Sequence, residues 1–279
     1  MKFGYVLPRG SARLAAESAK LAEDNGWDGF FVWEPVWGVD AWISLAAAAM
    51  VTKKIRLGTM ISPLSRMRPW KIASETATLD QLSNGRVILS VGLGALDTGF
   101  AEFGEETNRK VRAELLDESL AILTGLWKGQ PFEFSGRHYQ IRPAHFMPPP
   151  PPVQTPRIPI WVVGLWNSPR SMERVLRYDG ILPAKRDANH EFIEITPSDI
   201  REIRDFILQE KPELAGFDIV VEGQTPGKEP ASEQENVRAF ASAGATWWIE
   251  ANWGLSEQLD EVVLSKEISD RIRMGPPHI

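Results

Sequence analysis

The chain has 279 residues, 43% of them hydrophobic and 24% charged, with a formal net charge of −6. That balance excludes a mainly disordered chain, and the acidic surplus argues against nucleic acid or an anionic membrane, both of which reward basic surfaces. Cysteine is absent, which excludes disulfides, thiolate nucleophiles and cysteine-held metal sites. The expected partner is therefore a small molecule.

Strand-like and helix-like patterns alternate along the chain. Phe3 to Leu7 reads as a first strand, and an amphipathic segment from Ser11 to Asn25 follows it, stopped by Gly26. The segment Met1 to Pro8 is broken by proline too early for a signal sequence, and no run of about 20 apolar residues occurs, so a soluble cytoplasmic protein is expected. Asp28 to Trp33 is strand two, with the alanine-rich helix Ala41 to Val51; Ile55 to Ile61 is strand three, with a helix from Trp70 to Leu82. Asn84-Gly85 supplies residues that tolerate positive φ where that helix must stop. Arg86 to Val91 is strand four, an apolar run suited to burial on both faces, and Arg112 to Trp127 carries leucines at helical spacing.

The stretch 129–159 is irregular. It holds a predicted hairpin, Phe132 to Phe134 with Tyr139 to Ile141, and the run Pro148 to Pro152, which favours an extended spacer. At about 30 residues it is too short to bury a core of its own. Alternation then resumes with strands at Ile160 to Val163, Gly180 to Pro183, Phe217 to Val221 and Thr246 to Glu250. The matching helices are Arg170 to Tyr178, Ser198 to Glu210, Ser232 to Ala243 and Ser256 to Ile272. Eight strands and eight helices in strict order predict a single α/β domain over 1–279, a (β/α)8 TIM barrel with an excursion between helix four and strand five.

In such a barrel the site is built from the loops after the strands' carboxyl ends. Those loops contain Trp33, Glu34, Pro35 and Trp37 after strand two, and Ser62, Arg66 and Arg68 after strand three. Gly92, Gly94 and Asp97 follow strand four, and Gly164, Trp166, Asn167, Ser168 and Arg170 follow strand five. Lys185 and Arg186 follow strand six, Glu222, Thr225 and Lys228 strand seven, and Asn252, Trp253 and Ser256 strand eight. Among Glu34, Asp97, Glu222 and Glu250, spacing alone does not pair two carboxylates for acid/base work; Glu34 and Asp97 are carried forward as candidates. Trp33, Trp37, Trp70, Trp166 and Trp253 fall near the predicted mouth, where flat rings suit a flat ligand or fill a barrel top or subunit interface. No metal is expected, because His138 and His145 lie in the excursion, His278 in the tail, and only His190 approaches the mouth.

Gly92-Leu93-Gly94 lacks the third glycine of a dinucleotide fingerprint but permits close backbone approach. Gly164 to Arg170 combines a glycine strand exit, Asn or Ser as helix cap, proline in the first turn and a basic residue, which suits an anion. Thr225 and Lys228 form a rival anion loop after strand seven.

Several segments, in order, resemble the luciferase-like monooxygenase superfamily of flavin and deazaflavin barrels. They are Ala22 to Gly29 with Phe31 to Glu34, Ile55 to Pro63, Glu75 to Arg86, Leu89 to Gly94, and Pro159 to Gly164. The resemblance covers Met1 to Tyr178 and loosens beyond. It implies a cofactor ring over the strand ends, backed by Met60, Ile61 and Ser62, where such barrels often hold a non-proline cis peptide. Gly92 and Gly94 would then let the cofactor lie close, with Gly164, Trp166, Asn167, Ser168 and Arg170 at its phosphate end and Trp33, Trp37 and Trp253 around the substrate. Two residues depart from the family pattern. Pro35 follows Glu34 where many members have histidine, and Leu93 stands where luciferase-type members place a phosphate-binding arginine.

The function expected from this resemblance is an oxidoreductase in which reduced FMN, delivered by a separate flavin reductase, reacts with oxygen to oxygenate a small organic substrate. A variant uses coenzyme F-420 for hydride transfer, and a third reading is flavin binding without turnover. A homodimer is compatible with the resemblance.

Overall fold

The computed structural model describes all residues except 144–146, 148, 214–215, 226–230, 258–259 and 278–279, and the side chains of 231–233 are likewise outside the description. Eight parallel strands alternate with eight helices: β1 (Lys2–Leu7), α1 (Ala12–Asp24), β2 (Gly29–Val32), α2 (Ala41–Val51), β3 (Arg56–Thr59), α3 (Pro69–Ser83), β4 (Val87–Gly92) and α4 (Arg109–Trp127). The second half contains β5 (Ile160–Leu165), α5 (Pro169–Val175), β6 (Gly180–Arg186), α6 (Pro197–Glu210), β7 (Asp218–Gly223), α7 (Ala231–Ala243), β8 (Trp247–Glu250) and α8 (Glu261–Arg273). Each strand pairs in parallel with the next, and β8 pairs with β1, so the sheet closes as the sequence predicts.

The barrel interior is plugged by aromatic rings. Phe31, Trp161 and Trp247 lie with centroids 5.1–6.2 Å apart, surrounded by Val6, Met60, Ile88, Leu182, Val220 and Ile249. Rings this large fit because neighbouring strands carry glycine: a Cβ on Gly29 would lie 2.7 Å from Phe31, and one on Gly180 would lie 2.5 Å from Trp161. Large residues on some strands thus meet small ones on others, as the layered filling of such a barrel requires. A second apolar layer joins the outer strand faces to the helices.

The turn between α3 and β4 behaves as its sequence dictates. Asn84 and Gly85 have φ of 56° and 78°, and the Gly85 amide donates to the Asp80 carbonyl at 2.8 Å. Arg86, buried, then donates to the carbonyls of Ala49, Thr52, Ile55 and Ser83 and to Thr52 Oγ1. It satisfies carbonyls at the end of α2 that the helix itself leaves free. The arginine that ends this family-like segment is therefore structural.

Several boundaries differ from the sequence reading. The excursion's hairpin is only Phe134–Ser135 with Gln140–Ile141, and β5 and β6 run two and three residues beyond their predicted ends. The predicted start of α8 at Ser256 is corrected: 253–257 form a 3-10 turn, and the helix begins at Glu261 because the Asp260 carboxylate caps the amides of Val262 and Val263. No helix among the described residues is long and apolar enough to cross a membrane.

Candidate active site

The carboxyl end of β3 is irregular in a way that builds the mouth. The strand stops at Thr59, the Met60–Ile61 peptide is cis, and the chain resumes pairing at Ser62 and Pro63 against Val91 and Gly92 of β4. Ser62 is thereby carried to the end of β2, where its Oγ donates to Glu34 Oε2 at 2.6 Å. Thr59 Oγ1 lies 2.9 Å from Ser62 Oγ, so the three side chains form one hydrogen-bonded chain.

Glu34 has only 9% of its side chain exposed, and its nearest cation, Arg66 Nη2, stands 3.9 Å from Oε1. Arg66 is drawn to the backbone instead, donating to the Pro35 carbonyl at 2.7 Å. Burial therefore dominates over the Ser62 hydrogen bond and the Arg66 charge, and the Glu34 carboxyl is pushed up to about 7. A carboxylic acid that exchanges its proton near neutrality suits proton transfer.

Glu222 shares the parity of Val220, which faces the barrel interior. Its carboxylate accepts from Trp253 Nε1 at 3.0 Å, and desolvation by surrounding protein raises it even though solvent reaches the residue. The other two carboxylates are placed differently. Asp97 is exposed on a short turn after β4. Glu250 is buried, accepting from the Thr225 amide and hydroxyl at 2.7 Å each and from Arg271 at 3.1 Å.

That last network removes the rival anion loop's main donor, because Thr225 is wholly engaged with Glu250 and Arg271. Its partner Lys228 lies outside the described residues, as do His145 and His278.

The three predicted glycines are needed by the protein itself. A Cβ on Gly92 would lie 2.5 Å from Ile61; Gly94, at φ +80°, would place one 2.9 Å from Phe100 and Pro63. Gly164 lets α5 approach β5, since its Cβ would lie 2.6 Å from Ile181 and 2.8 Å from Val175. Beyond it, Asn167 adopts φ 65° and Ser168 caps α5 by position but without a side-chain bond. Arg170 is exposed.

The tryptophans divide. Trp253 stands at the mouth with Glu222, and Trp33 is half-buried after β2. Trp37 is 81% exposed. Trp166 is committed to α6, stacking edge-on against Phe206 and donating to Glu202. Trp70 lines an outer groove of 560 Å³ between α3, the end of α4 and the prolines 149–152.

Sequence reasoning named Arg66 and Arg186 among the mouth residues but missed Arg112 of α4. Arg112 reaches from α4 to the carbonyls of Leu93 and Gly94, so a guanidinium stands at the β4 exit although Leu93 does not supply one. The Nε atoms of Arg66, Arg112 and Arg186 are buried with no hydrogen-bond partner among the described residues. Buried donors of this kind are normally satisfied, and these three, on the turn after β3, in α4 and at the end of β6, are available to a ligand that carries anionic groups. The only sequence signal was the basic first turn of α4.

A closed barrel with raised carboxyls, and with guanidinium Nε atoms that lack partners among the described residues, at the carboxyl end of its strands has the architecture of the α/β-barrel enzymes. The chain belongs to the luciferase-like monooxygenase family, whose model matches residues 1–245. It is 31% identical over 217 residues to an uncharacterized protein of Mycobacterium tuberculosis, covering 68% of this chain and 74% of that one. It is 33% identical over 153 residues to an F-420-dependent glucose-6-phosphate dehydrogenase of Amycolatopsis mediterranei, covering 50% and 46% of the two chains. In fold it is similar to a monooxygenase from Streptomyces bottropensis, with a TM-score of 0.75 and 19% identity over 98% of this chain and 97% of that one. The F-420-dependent tetrahydromethanopterin reductase of Methanopyrus kandleri gives a TM-score of 0.70 and 18% identity, with 97% of each chain covered.

Proposed function

We propose that the protein is a coenzyme F-420-dependent oxidoreductase that moves a hydride between the cofactor and a small alcohol or carbonyl compound, with Glu34 as the acid/base. The observation that carries this reading is the buried Glu34 carboxyl at the end of β2, oriented by Ser62 and pushed up to about 7. Oxidising an alcohol removes a hydride from carbon and a proton from oxygen, and the proton needs an acceptor near neutrality. The bound deazaflavin supplies the hydride acceptor.

The chain's own residues do the rest. Ser62 fixes one oxygen of Glu34 and leaves the other for the substrate hydroxyl, and Arg66 stands near enough to steady the carboxylate once it is charged. The half-buried Ile61, beside the cis peptide, covers Gly92 and would give the ring an apolar backing. Gly164, Asn167, Ser168 and Arg170 would hold the phosphate end, where the first amides of α5 lack intrahelical acceptors. The F-420-dependent relative supports the cofactor assignment, since it resembles this chain in sequence and not in fold alone.

A second reading keeps reduced FMN and oxygen. It is favoured by the aromatic floor of Phe31, Trp161 and Trp247, which keeps water from beneath a reactive ring. Absorbance titration with F-420 and with FMN separates the two. The expected result is tight binding of F-420 and alcohol-dependent bleaching of its absorbance. Binding of FMN alone, with oxygen consumed when it is reduced, would overturn the F-420 reading, and binding without any turnover would reduce the protein to a cofactor carrier.

A further inference from the structure

Glu222 is the first side chain above the aromatic plug on the inner face of β7. Asp218, Val220 and Glu222 share that face by the alternation of the strand. Asp218 receives Trp161 Nε1 near the amino end, and Val220 packs in the interior cluster, in register with Trp247. Glu222, one step higher, pairs in register with the buried Ile249 of β8.

Small neighbours keep room beside the carboxyl. On β8 the inward residue after Ile249 is Ala251, and on β6 the alternation that turns Leu182 inward brings Ala184 level with Glu222. Solvent reaches Glu222 there although protein surrounds it. Trp253, on the turn that follows β8, closes one side. Its Nε1 donates to Glu222 Oε2 at 3.0 Å, and the residue keeps 37% of its surface exposed.

The chain supplies no counter-charge to this carboxyl. Other acidic groups around the carboxyl end have a cation: Glu34 stands 3.9 Å from Arg66, Asp199 accepts from Lys185 at 2.6 Å, and Glu250 accepts from Arg271 at 3.1 Å. Glu222 makes no ion pair among the described residues, and the Trp253 bond alone opposes the desolvation that raises its carboxyl. Its second oxygen, Oε1, has no hydrogen-bond partner among the described residues. A ligand hydroxyl would fill that oxygen and leave the charge as it is. A protonated amine donates to the same oxygen, brings the missing charge and rests against an exposed indole, the best of the aromatic partners for a cation.

We infer that Glu222 and Trp253 form a substrate subsite for a protonated amine, so that the alcohol or carbonyl compound held at Glu34 carries an ammonium group at its far end. β2 and β7 are separated around the sheet by β1 and β8, which puts the two carboxyls on different walls of the mouth, where one extended molecule reaches both. Glu34 exchanges the proton of the reacting oxygen, and Glu222 selects the molecule without joining the chemistry. The subsite rests on the geometry of Glu222 and Trp253, while its part in turnover rests on the oxidoreductase reading above.

The test compares straight-chain alkanols of increasing length with their ω-amino and ω-hydroxy analogues, as substrates of the cofactor-loaded wild type, Glu222→Gln and Glu222→Asp. The wild type is expected to show a KM for the best amino alcohol about thirtyfold below that of the matching alkanol, at similar kcat, well short of the discrimination that a fully buried polar site reaches. Glu222→Gln, which keeps an acceptor for Trp253, should raise the KM for amino alcohols to that of the alkanols, and Glu222→Asp should recover part of the preference. Equal KM for all three classes in the wild type, a diol preferred over the amino alcohol, or an equal loss on alkanol and amino alcohol in Glu222→Gln overturns the inference and leaves the oxidoreductase reading standing. If no alcohol is turned over with F-420, that reading fails, and binding of hexylammonium chloride, followed by tryptophan fluorescence, then decides the subsite. Saturable binding to the wild type that Glu222→Gln lacks upholds the amine site, and equal binding or none overturns it.

Discussion

The two ends of this barrel carry similar side chains and treat them in opposite ways. At the amino end a recess of 460 Å³ is lined by Lys2, Arg56, Arg157, Asp179 and Asp218 among others. Arg157 forms a bidentate pair with Asp179, Arg56 donates to Gln154 and the Gly85 carbonyl, and Asp218 accepts from Trp161 and Thr246. At the carboxyl end three guanidinium Nε atoms are buried without acceptors, and Glu34 is buried with its nearest cation 3.9 Å away. Polar groups that satisfy one another stabilise a fold, whereas a buried cationic donor without a partner is available to a ligand. The size of the recess does not tell the two apart, but the state of its charges does.

That contrast is broken most sharply at Glu34. Glu34→Gln keeps the shape of the side chain and removes the base, so turnover is expected to fall about a thousandfold, within the range for general acid/base groups, with cofactor affinity unchanged. Steady-state rates together with cofactor titration check this, and a variant that retains full activity would end the role assigned to Glu34.

The same residue sets a pH dependence. Its carboxyl rises from 4.5 to about 7 on folding, so the folded protein binds the proton more tightly than the unfolded chain. This contribution is fully present below pH 4.5 and lost as pH rises to about 7, a change on the order of 3 kcal/mol. Urea unfolding across that window should show the fall in the wild type and a flatter profile in Glu34→Gln. If alcohol oxidation uses the deprotonated carboxylate, its rate should rise over the same interval.

The smallest effect is expected at the amino end. Arg157→Met breaks the pair with Asp179, whose side chains are 28% and 30% exposed, so a loss of about 1 kcal/mol follows for a partly solvated pair. Asp179 keeps the Ile160 amide as donor. Cofactor binding and turnover should not move, and a large loss of either would erase the distinction between the two ends.

Much of this architecture was legible because it depends on neighbours in sequence. The alternation of strand and helix patterns, the stop at Asn84-Gly85 and the cap-to-glycine logic of each βα unit are local, and they gave the closed barrel with only boundary errors. The start of α8 was missed because Ser256 and Asp260 both suit a cap, and nothing local decides between them. The site was legible only as a set of loops. Glu34 stood beside Asp97 as a candidate with nothing to choose between them, and the Thr225 loop stood as a rival to the loop that carries Arg170.

By itself the sequence determined the order of the elements, since periodicity and turn chemistry act over a few residues, and its segments carried the resemblance to the family. Tertiary structure decided which groups are poised for chemistry. Glu34 meets Ser62 across 28 positions, and desolvation exists only once such residues share a dry space. The glycine exit of β4 shows both at once: its sequence marks a close approach, and only the folded chain reveals that Ile61, Phe100 and Pro63 make it.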